Sequence, residues 1–131
     1  MPSRPLLLAA AFLCALFGLL IPDAQAHARM IKSEPLRDAE VTAAPAQVEL
    51  WFNELLETGF NFVSVFPESE LGAKKRTDFV SGKPSVDPKD RTRIVAALKP
   101  LPPGEYIVEW RVLSRDGHTA PGRFKFRVKA R

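Results

Sequence analysis

Two histidines and one aspartate stand out in this 131-residue chain as side chains that could bind a metal ion. His27 follows the small residues Ala-Gln-Ala at positions 24–26, at the end of an apolar N-terminal stretch. If the chain is cut before His27, this residue offers two nitrogens to one ion, its free α-amine and its imidazole. His118 lies two residues after Asp116. Together these groups could supply three nitrogens and one oxygen, a donor set suited to a divalent transition metal.

The N-terminal leader predicts the cleavage on which His27 depends. Arg4 is the single charge in the first twenty residues, residues 6–21 are almost wholly apolar, and residues 24–26 are small at the positions that a signal peptidase reads. A charge, an apolar run and a small-residue site in this order predict a signal peptide over residues 1–26. A transmembrane anchor is the alternative, but the apolar run of 16 residues is shorter than the roughly 20 that a spanning helix needs.

The mature chain, residues 27–131, is long enough for one domain and not for two. Cys14 is the only cysteine and lies in the leader, so the exported domain cannot form a disulfide and must rely on its core or on a bound ligand. Loss of Arg4 and Asp23 leaves 18 basic and 14 acidic residues from the 19 and 15 of the whole chain. The net charge of +4 is a mild excess that does not predict a nucleic-acid-binding surface.

Each half of this donor set also has an ordinary explanation. Asp-Gly at Asp116 is a common turn dipeptide with a surface histidine beside it, and His27 could be a terminal histidine by accident. In an extended segment, however, residues i and i+2 point the same way, so Asp116 and His118 are expected to face one point.

Nitrogen and oxygen ligands suit copper(II), which heads the affinity order of the divalent first-row metals. No copper(I) site is expected, since Met30 is the single methionine of the mature chain.

Short alternating apolar runs, with no sustained helical periodicity, must position these ligands. Alternation with a period of two is found in residues 47–53, 106–113 and 123–129, and shorter apolar runs occupy residues 60–66 and 93–98. Such patterns predict strands that pack one face inward. With turn residues between them, they predict an all-β protein built as an antiparallel β-sandwich.

Finer expectations concern the connections and the outer faces. Residues 114–122, with Asp-Gly and Pro-Gly dipeptides, are expected to link the last two strands, and residues 77–80 to form one weak strand within a polar loop. The basic residues that alternate along 123–131 are expected to form a solvated outer face. Trp51 and Trp110 are expected in the core or half-buried on the sheets.

Taken together, these segments resemble the CopC family of exported copper-binding proteins. The resemblance rests on six segments, residues 27–28, 33–35, 48–52, 103–106, 108–112 and 114–118. It implies an immunoglobulin-like, Greek-key β-sandwich or barrel of about seven strands, with a copper(II) site at one end. The ligand roles fall on His27, Asp116 and His118. Some members also use a glutamate that corresponds to Glu54, for which a solvated loop carboxylate is the alternative.

The same resemblance implies a function. We expect a periplasmic protein that carries or buffers one copper(II) ion per chain in copper resistance or homeostasis. Its implied partner is a CopD-type inner-membrane copper transporter, expected as a separate chain because the sequence ends two residues after Lys129. The methionine-rich copper(I) site of some members is not expected, since residues 63–79 hold no Met or His.

Two other function classes remain open from the sequence. One is a copper-dependent oxidative enzyme that resembles the lytic polysaccharide monooxygenases, which also begin with histidine. Such enzymes need open coordination positions for oxygen, and the Asp116 carboxylate would occupy one, so no enzyme activity is expected. The other is a metal-free interaction module.

Overall fold

The computed structural model describes residues 27–131, so the predicted signal peptide, with Cys14, lies outside the described residues. Within this range there are eight strands and one short 3-10 helix, Glu68–Glu70. The strands are β1 (Met30–Glu34), β2 (Glu40–Val41), β3 (Gln47–Phe52), β4 (Phe62–Pro67), β5 (Ser85–Val86), β6 (Arg93–Ala97), β7 (Gly104–Leu113) and β8 (Thr119–Val128). No helix in residues 27–131 combines the length and the apolar character needed to span a bilayer.

The strands form two four-stranded sheets around one core. The first sheet has the order β1-β3-β6-β5 and the second the order β2-β8-β7-β4. Neighbouring strands run antiparallel, except that β2 runs parallel to β8 over two residues. The predicted all-β, immunoglobulin-like antiparallel sandwich is therefore confirmed. The described chain has eight strands instead of about seven, because β2 and β5 are two-residue strands without an alternation pattern.

The alternation seen in the sequence builds the core. Val48, Leu50 and Phe52 of β3 have relative exposures of 0%, 0% and 1%. Trp110 of β7, in the opposite sheet, packs edge-on against Phe52 with ring centroids 6.1 Å apart, and it also packs against Phe124 of β8 at 6.0 Å. Burial of a large apolar side chain contributes about 1.5–3 kcal/mol. This aromatic cluster therefore holds the two sheets in a fixed relative position.

The expected link over residues 114–122 is wrong in length, because β8 begins at Thr119 and the loop between β7 and β8 contains only residues 114–118. Pro121 is tolerated in β8 because β2 pairs with that strand only at its far end, which leaves no neighbouring strand at this part of the described edge. Gly122 lies opposite Trp110, and a Cβ atom there would be 2.2 Å from Cζ2 of the indole. The Pro-Gly pair thus lies within a strand and forms no turn, and its glycine leaves space for the indole.

The weak strand expected at residues 77–80 is also not formed, apart from an isolated bridge between Val80 and Leu98. The N–H of Phe79 donates to the carbonyl of Val65 in one sheet at 2.8 Å, and its carbonyl accepts the N–H of Lys99 beside the other sheet at 2.8 Å. A segment that bonds to both sheets cannot extend either ladder. The strand expected over residues 60–66 also begins later than its apolar run. β4 begins at Phe62, and Phe60 lies before it and is 76% exposed.

The outer faces agree with the sequence. The alternating basic residues of β8 and of the residues that follow it are exposed, and some pair with carboxylates: Lys129 lies 2.7 Å from Glu40, and Arg127 hydrogen bonds to Glu105. Exposed pairs of this kind add little stability, but they reduce the positive charge of the face. Trp51 is half-buried on the other sheet.

We predict that Gly122→Ala destabilises the fold by about 1–3 kcal/mol, because the added methyl group would overlap the indole of Trp110. Chemical denaturation of the wild type and the variant measures the difference. In a Trp110→Phe background, which lacks the outer indole ring, the same glycine substitution should cost less. An equal cost in both backgrounds would show that the indole does not set the penalty.

Candidate metal centre

The segment before β1 and the loop between β7 and β8 meet at one end of the sandwich. His27 lies three residues before β1 begins, and His118 is the last residue before β8. Their imidazole rings have centroids 6.0 Å apart, with the ring planes at 87°. Two histidines from opposite ends of the described chain therefore lie side by side.

This separation fits a metal ion shared by the two rings. A metal–nitrogen bond of about 2.0–2.1 Å puts the ion roughly 3 Å from the ring centre, so imidazoles on opposite sides of one ion have centroids roughly 6 Å apart. His27 and His118 are at 6.0 Å. Both residues are exposed, so an ion from solvent can reach them without opening the core.

The loop between β7 and β8 holds Asp116 against His118. Oδ1 of Asp116 accepts the backbone N–H of His118 at 3.0 Å and also the hydroxyl of Ser114, which is fully buried. Oδ2 lies 3.3 Å from Nδ1 of His118. Gly117, with φ at 90°, allows the chain to turn here. Asp116 and His118 do lie together, but a tight turn brings them there, not the extended geometry expected from their spacing.

The same hydrogen bonds set the charge of Asp116. The hydroxyl of Ser114, followed by the backbone N–H and the ring of His118, lowers the pKa of Asp116 from 3.8 to about 2. Hydrogen bonds to a carboxylate favour its charged form. Asp116 is therefore a full negative charge at neutral pH, next to the imidazole of His118.

Ala28 and Arg29 anchor the segment that carries His27. Ala28 is 6% exposed and belongs to the hydrophobic core. The backbone N–H of Arg29 donates to Oδ1 of Asn53 at 2.7 Å, and the N–H of Asn53 donates to the carbonyl of Arg29 at 3.0 Å. The backbone on the C-terminal side of His27 is thus attached both to the core and to the end of β3.

The loop between β3 and β4, residues 53–61, connects the two halves of the site. It begins at Asn53, which holds the N-terminal segment. Further on, the carbonyl of Leu55 accepts the N–H of Arg115 at 3.0 Å, and Leu56 pairs with Ser114 in an isolated bridge. One loop therefore contacts the segment that carries His27 and the turn that carries the other predicted ligands.

Glu54 lies in this loop and is half-buried. Its backbone is therefore at the same end of the sandwich as the two histidines. Within residues 27–131, however, no three His, Cys, Asp or Glu side chains are close enough to make a metal cluster as they stand. Ligation by Glu54 therefore stays a prediction, as does ligation by His27, Asp116 and His118.

The sequence pattern assigns no role to two residues at this end of the sandwich. In the Ser-Arg-Asp-Gly-His segment it points to the aspartate and the histidine but not to Ser114, and the alternation of residues 47–53 places Asn53 at the end of a strand. The signal for both is weak: Ser, Asn and Asp favour side-chain bonds to nearby backbone groups where regular structure ends. Asn53 meets Arg29 only in the folded chain, so its role is not a local property.

Similarity to known proteins agrees with the fold. The family model described as CopC domain matches residues 30–129. Copper resistance protein C of Pseudomonas syringae pv. tomato is 34% identical over 113 residues, which cover 86% of this chain and 89% of that protein. Copper transport protein CutJ of Bacillus subtilis is 37% identical over 116 residues, but the chain spans only 20% of its length.

A solved structure with the same architecture is that of PcoC, described as a methionine-rich copper resistance protein from Escherichia coli. It superposes with a TM-score of 0.65 at 31% sequence identity. The match covers 79% of this chain and 100% of the other. The two-sheet arrangement that brings the two histidines together is thus shared with this relative.

We predict that Ser114→Ala raises the pKa of Asp116 from about 2 toward its usual value of 3.8, because the largest cause of the shift is the Ser114 hydroxyl. A depressed carboxyl pKa adds stability that is present above the usual value and lost as pH falls toward 2. Carbon-13 NMR titration of the Asp116 carboxyl measures the shift. Ser64→Ala, which removes another buried serine hydroxyl, should leave it unchanged. A pKa still near 2 in Ser114→Ala would contradict the assignment.

Proposed function

The chain belongs to the CopC family, and from that premise we propose that its exported form binds one copper(II) ion through His27, Asp116 and His118. The observation that carries the proposal is the 6.0 Å separation of the two imidazoles at one end of the sandwich. The names of its relatives, copper resistance and copper transport proteins, support copper as the metal.

The chemistry of the donor set supports the divalent ion. His27 would supply its α-amine and imidazole, His118 a second imidazole, and Asp116 a carboxylate that partly neutralises the charge of the metal. Nitrogen and oxygen ligands suit copper(II), whereas copper(I) prefers thiolates and thioethers. PcoC is described as methionine rich, but Met30 is the single methionine of this chain outside the predicted leader. The chain therefore offers no comparable thioether set.

Glu54 is a further candidate ligand. It directly follows Asn53, the residue that holds the N-terminal segment, and the next residue, Leu55, is bonded to the Asp116 turn through Arg115. Its backbone is thereby tied on both sides to segments that carry the other ligands. Glu54 would either contact the copper ion directly or remain a solvated carboxylate that adds negative charge near it.

The role that fits this site is capture and carriage of copper. The donor set would surround the ion with protein ligands, and the relatives are named for copper resistance and transport, not for catalysis. We propose a carrier or buffer that acts in the periplasm, with residues 1–26 removed as a signal peptide and residues 27–131 as the mature domain. A CopD-type inner-membrane copper transporter is its proposed partner.

An extra residue placed before His27 should weaken copper(II) binding by at least roughly 10-fold, since loss of even an outer partner of a metal ligand acts on that scale. The extension converts the α-amine into an amide and removes one ligand. Competition with a chelator of known affinity measures the change. An extra residue after Arg131 is the matched control and should have no effect. Equal affinity of the N-terminally extended and mature forms would refute N-terminal ligation.

Copper(II) affinity should also fall as the pH drops below about 8, because a free α-amine has a pKa of about 7.7–8.0 and must lose its proton to bind metal. Chelator competition at a series of pH values gives the profile. The N-terminally extended form has no amine to deprotonate at this position, so its affinity should change less between about pH 7 and 8. A flat profile for the mature protein would count against amine ligation.

A further inference from the structure

The end of β3 holds the N-terminal segment through a reciprocal pair of hydrogen bonds. Oδ1 of Asn53 accepts the N–H of Arg29 at 2.7 Å, and the carbonyl of Arg29 accepts the N–H of Asn53 at 3.0 Å. The β1–β3 ladder begins one residue later, where Met30 pairs with Phe52, and its register shifts between Met30 and Lys32. The Asn53 side chain thus binds the N-terminal segment beyond the end of the ladder. It does so at Arg29, two residues after His27.

The other side of the same loop is attached to the turn that carries Asp116 and His118. Oδ1 of Asn61 accepts the N–H of Leu113, the last residue of β7, at 2.9 Å. The carbonyl of Leu55 accepts the N–H of Arg115 at 3.0 Å. The loop of residues 53–61 therefore connects the two parts of the site. Its first residue, Asn53, bonds to the N-terminal segment, and its last residue, Asn61, bonds to the end of β7.

We propose that Asn53 is the positioning residue that holds His27 in place for copper(II), acting through Arg29 and without contact to the metal. This inference rests on the proposed function. Chain termini are poorly ordered unless they are tied down, and a ligand on a disordered segment must be ordered when the metal binds. The Asn53 amide oxygen orders the segment beforehand. Asp could accept the same N–H bond, whereas Ala could not.

The first test is copper(II) affinity, with copper alone as the probe and a competing chelator near neutral pH. Asn53→Ala should weaken binding about 10- to 100-fold, the usual effect of removing a group that orients a metal ligand. Asn53→Asp, which retains an acceptor oxygen, should bind at least as tightly as the wild type. Glu70→Ala removes a carboxylate that accepts the N–H of Thr77 beyond the opposite end of β4, and should have no effect. Unchanged affinity in Asn53→Ala overturns the proposal.

A second test shows whether Asn53 acts through His27. In protein with an extra residue before His27, the amine ligand is already lost, so Asn53→Ala should cause a much smaller further loss. The difference between the two backgrounds is the coupling of a double-mutant cycle. The same loss in both backgrounds would mean that Asn53 acts on the fold in general, and would overturn the proposal.

A third test needs no copper and separates this inference from the proposed function. In the wild type, the amide of Arg29 should be protected from hydrogen exchange, and NMR should detect the proximity of the His27 and His118 rings. Asn53→Ala should remove both signals, and Asn53→Asp should retain them. If the wild type shows both signals but binds no copper, the copper function fails, while loss of both signals in Asn53→Ala would still show that Asn53 orders the segment that carries His27. If Asn53→Ala keeps both signals, the positioning role fails whatever the copper affinity.

Discussion

The candidate site depends on where the ladder between β7 and β8 ends. These strands pair without interruption over ten residues each, from Gly104 opposite Val128 to Leu113 opposite Thr119. Because the last pair closes at Leu113 and Thr119, the five residues between them must reverse the chain. Five residues can do so only as a tight turn, and the turn places the Asp116 carboxylate against the ring and backbone of His118. A ladder that ended a few residues earlier would leave a longer and less ordered loop.

The two histidines lead into strands of different sheets, so the packing of the sandwich sets the distance between them. His27 precedes a strand of the first sheet, and His118 directly precedes a strand of the second. The aromatic cluster of Phe52 and Trp110 fixes the sheets relative to each other, and close-packed interiors permit little sliding. The loop of residues 53–61 adds hydrogen bonds across the same gap. A site shared between sheets in this way is ordered by the core, although its ligands are exposed.

The sequence predicted those parts of the molecule that depend on local patterns. Alternation gave the strands around Val48 and Val108 and the all-β sandwich, and residue chemistry singled out the two histidines. Prediction from the sequence failed where the role of a residue depends on a contact with a residue distant in the sequence. Gly122 follows a proline and has the composition of a turn, yet its role is to leave space for an indole on the next strand. The role of Asn53 depends on Arg29, 24 positions away, and no spacing rule connects them.

If His27 is the mature terminus, removal of the leader completes the proposed set of metal ligands. Before cleavage its nitrogen is an amide, whose lone pair is delocalised into the carbonyl and does not offer a neutral amine to a metal. The imidazoles and the carboxylate of Asp116 would be present in the uncleaved chain as well, but without the chelate ring that joins two donors on one residue. Full affinity would then arise only after the leader is removed on the far side of the membrane. A protein of this design would therefore bind copper less tightly in the compartment in which it is made than after export.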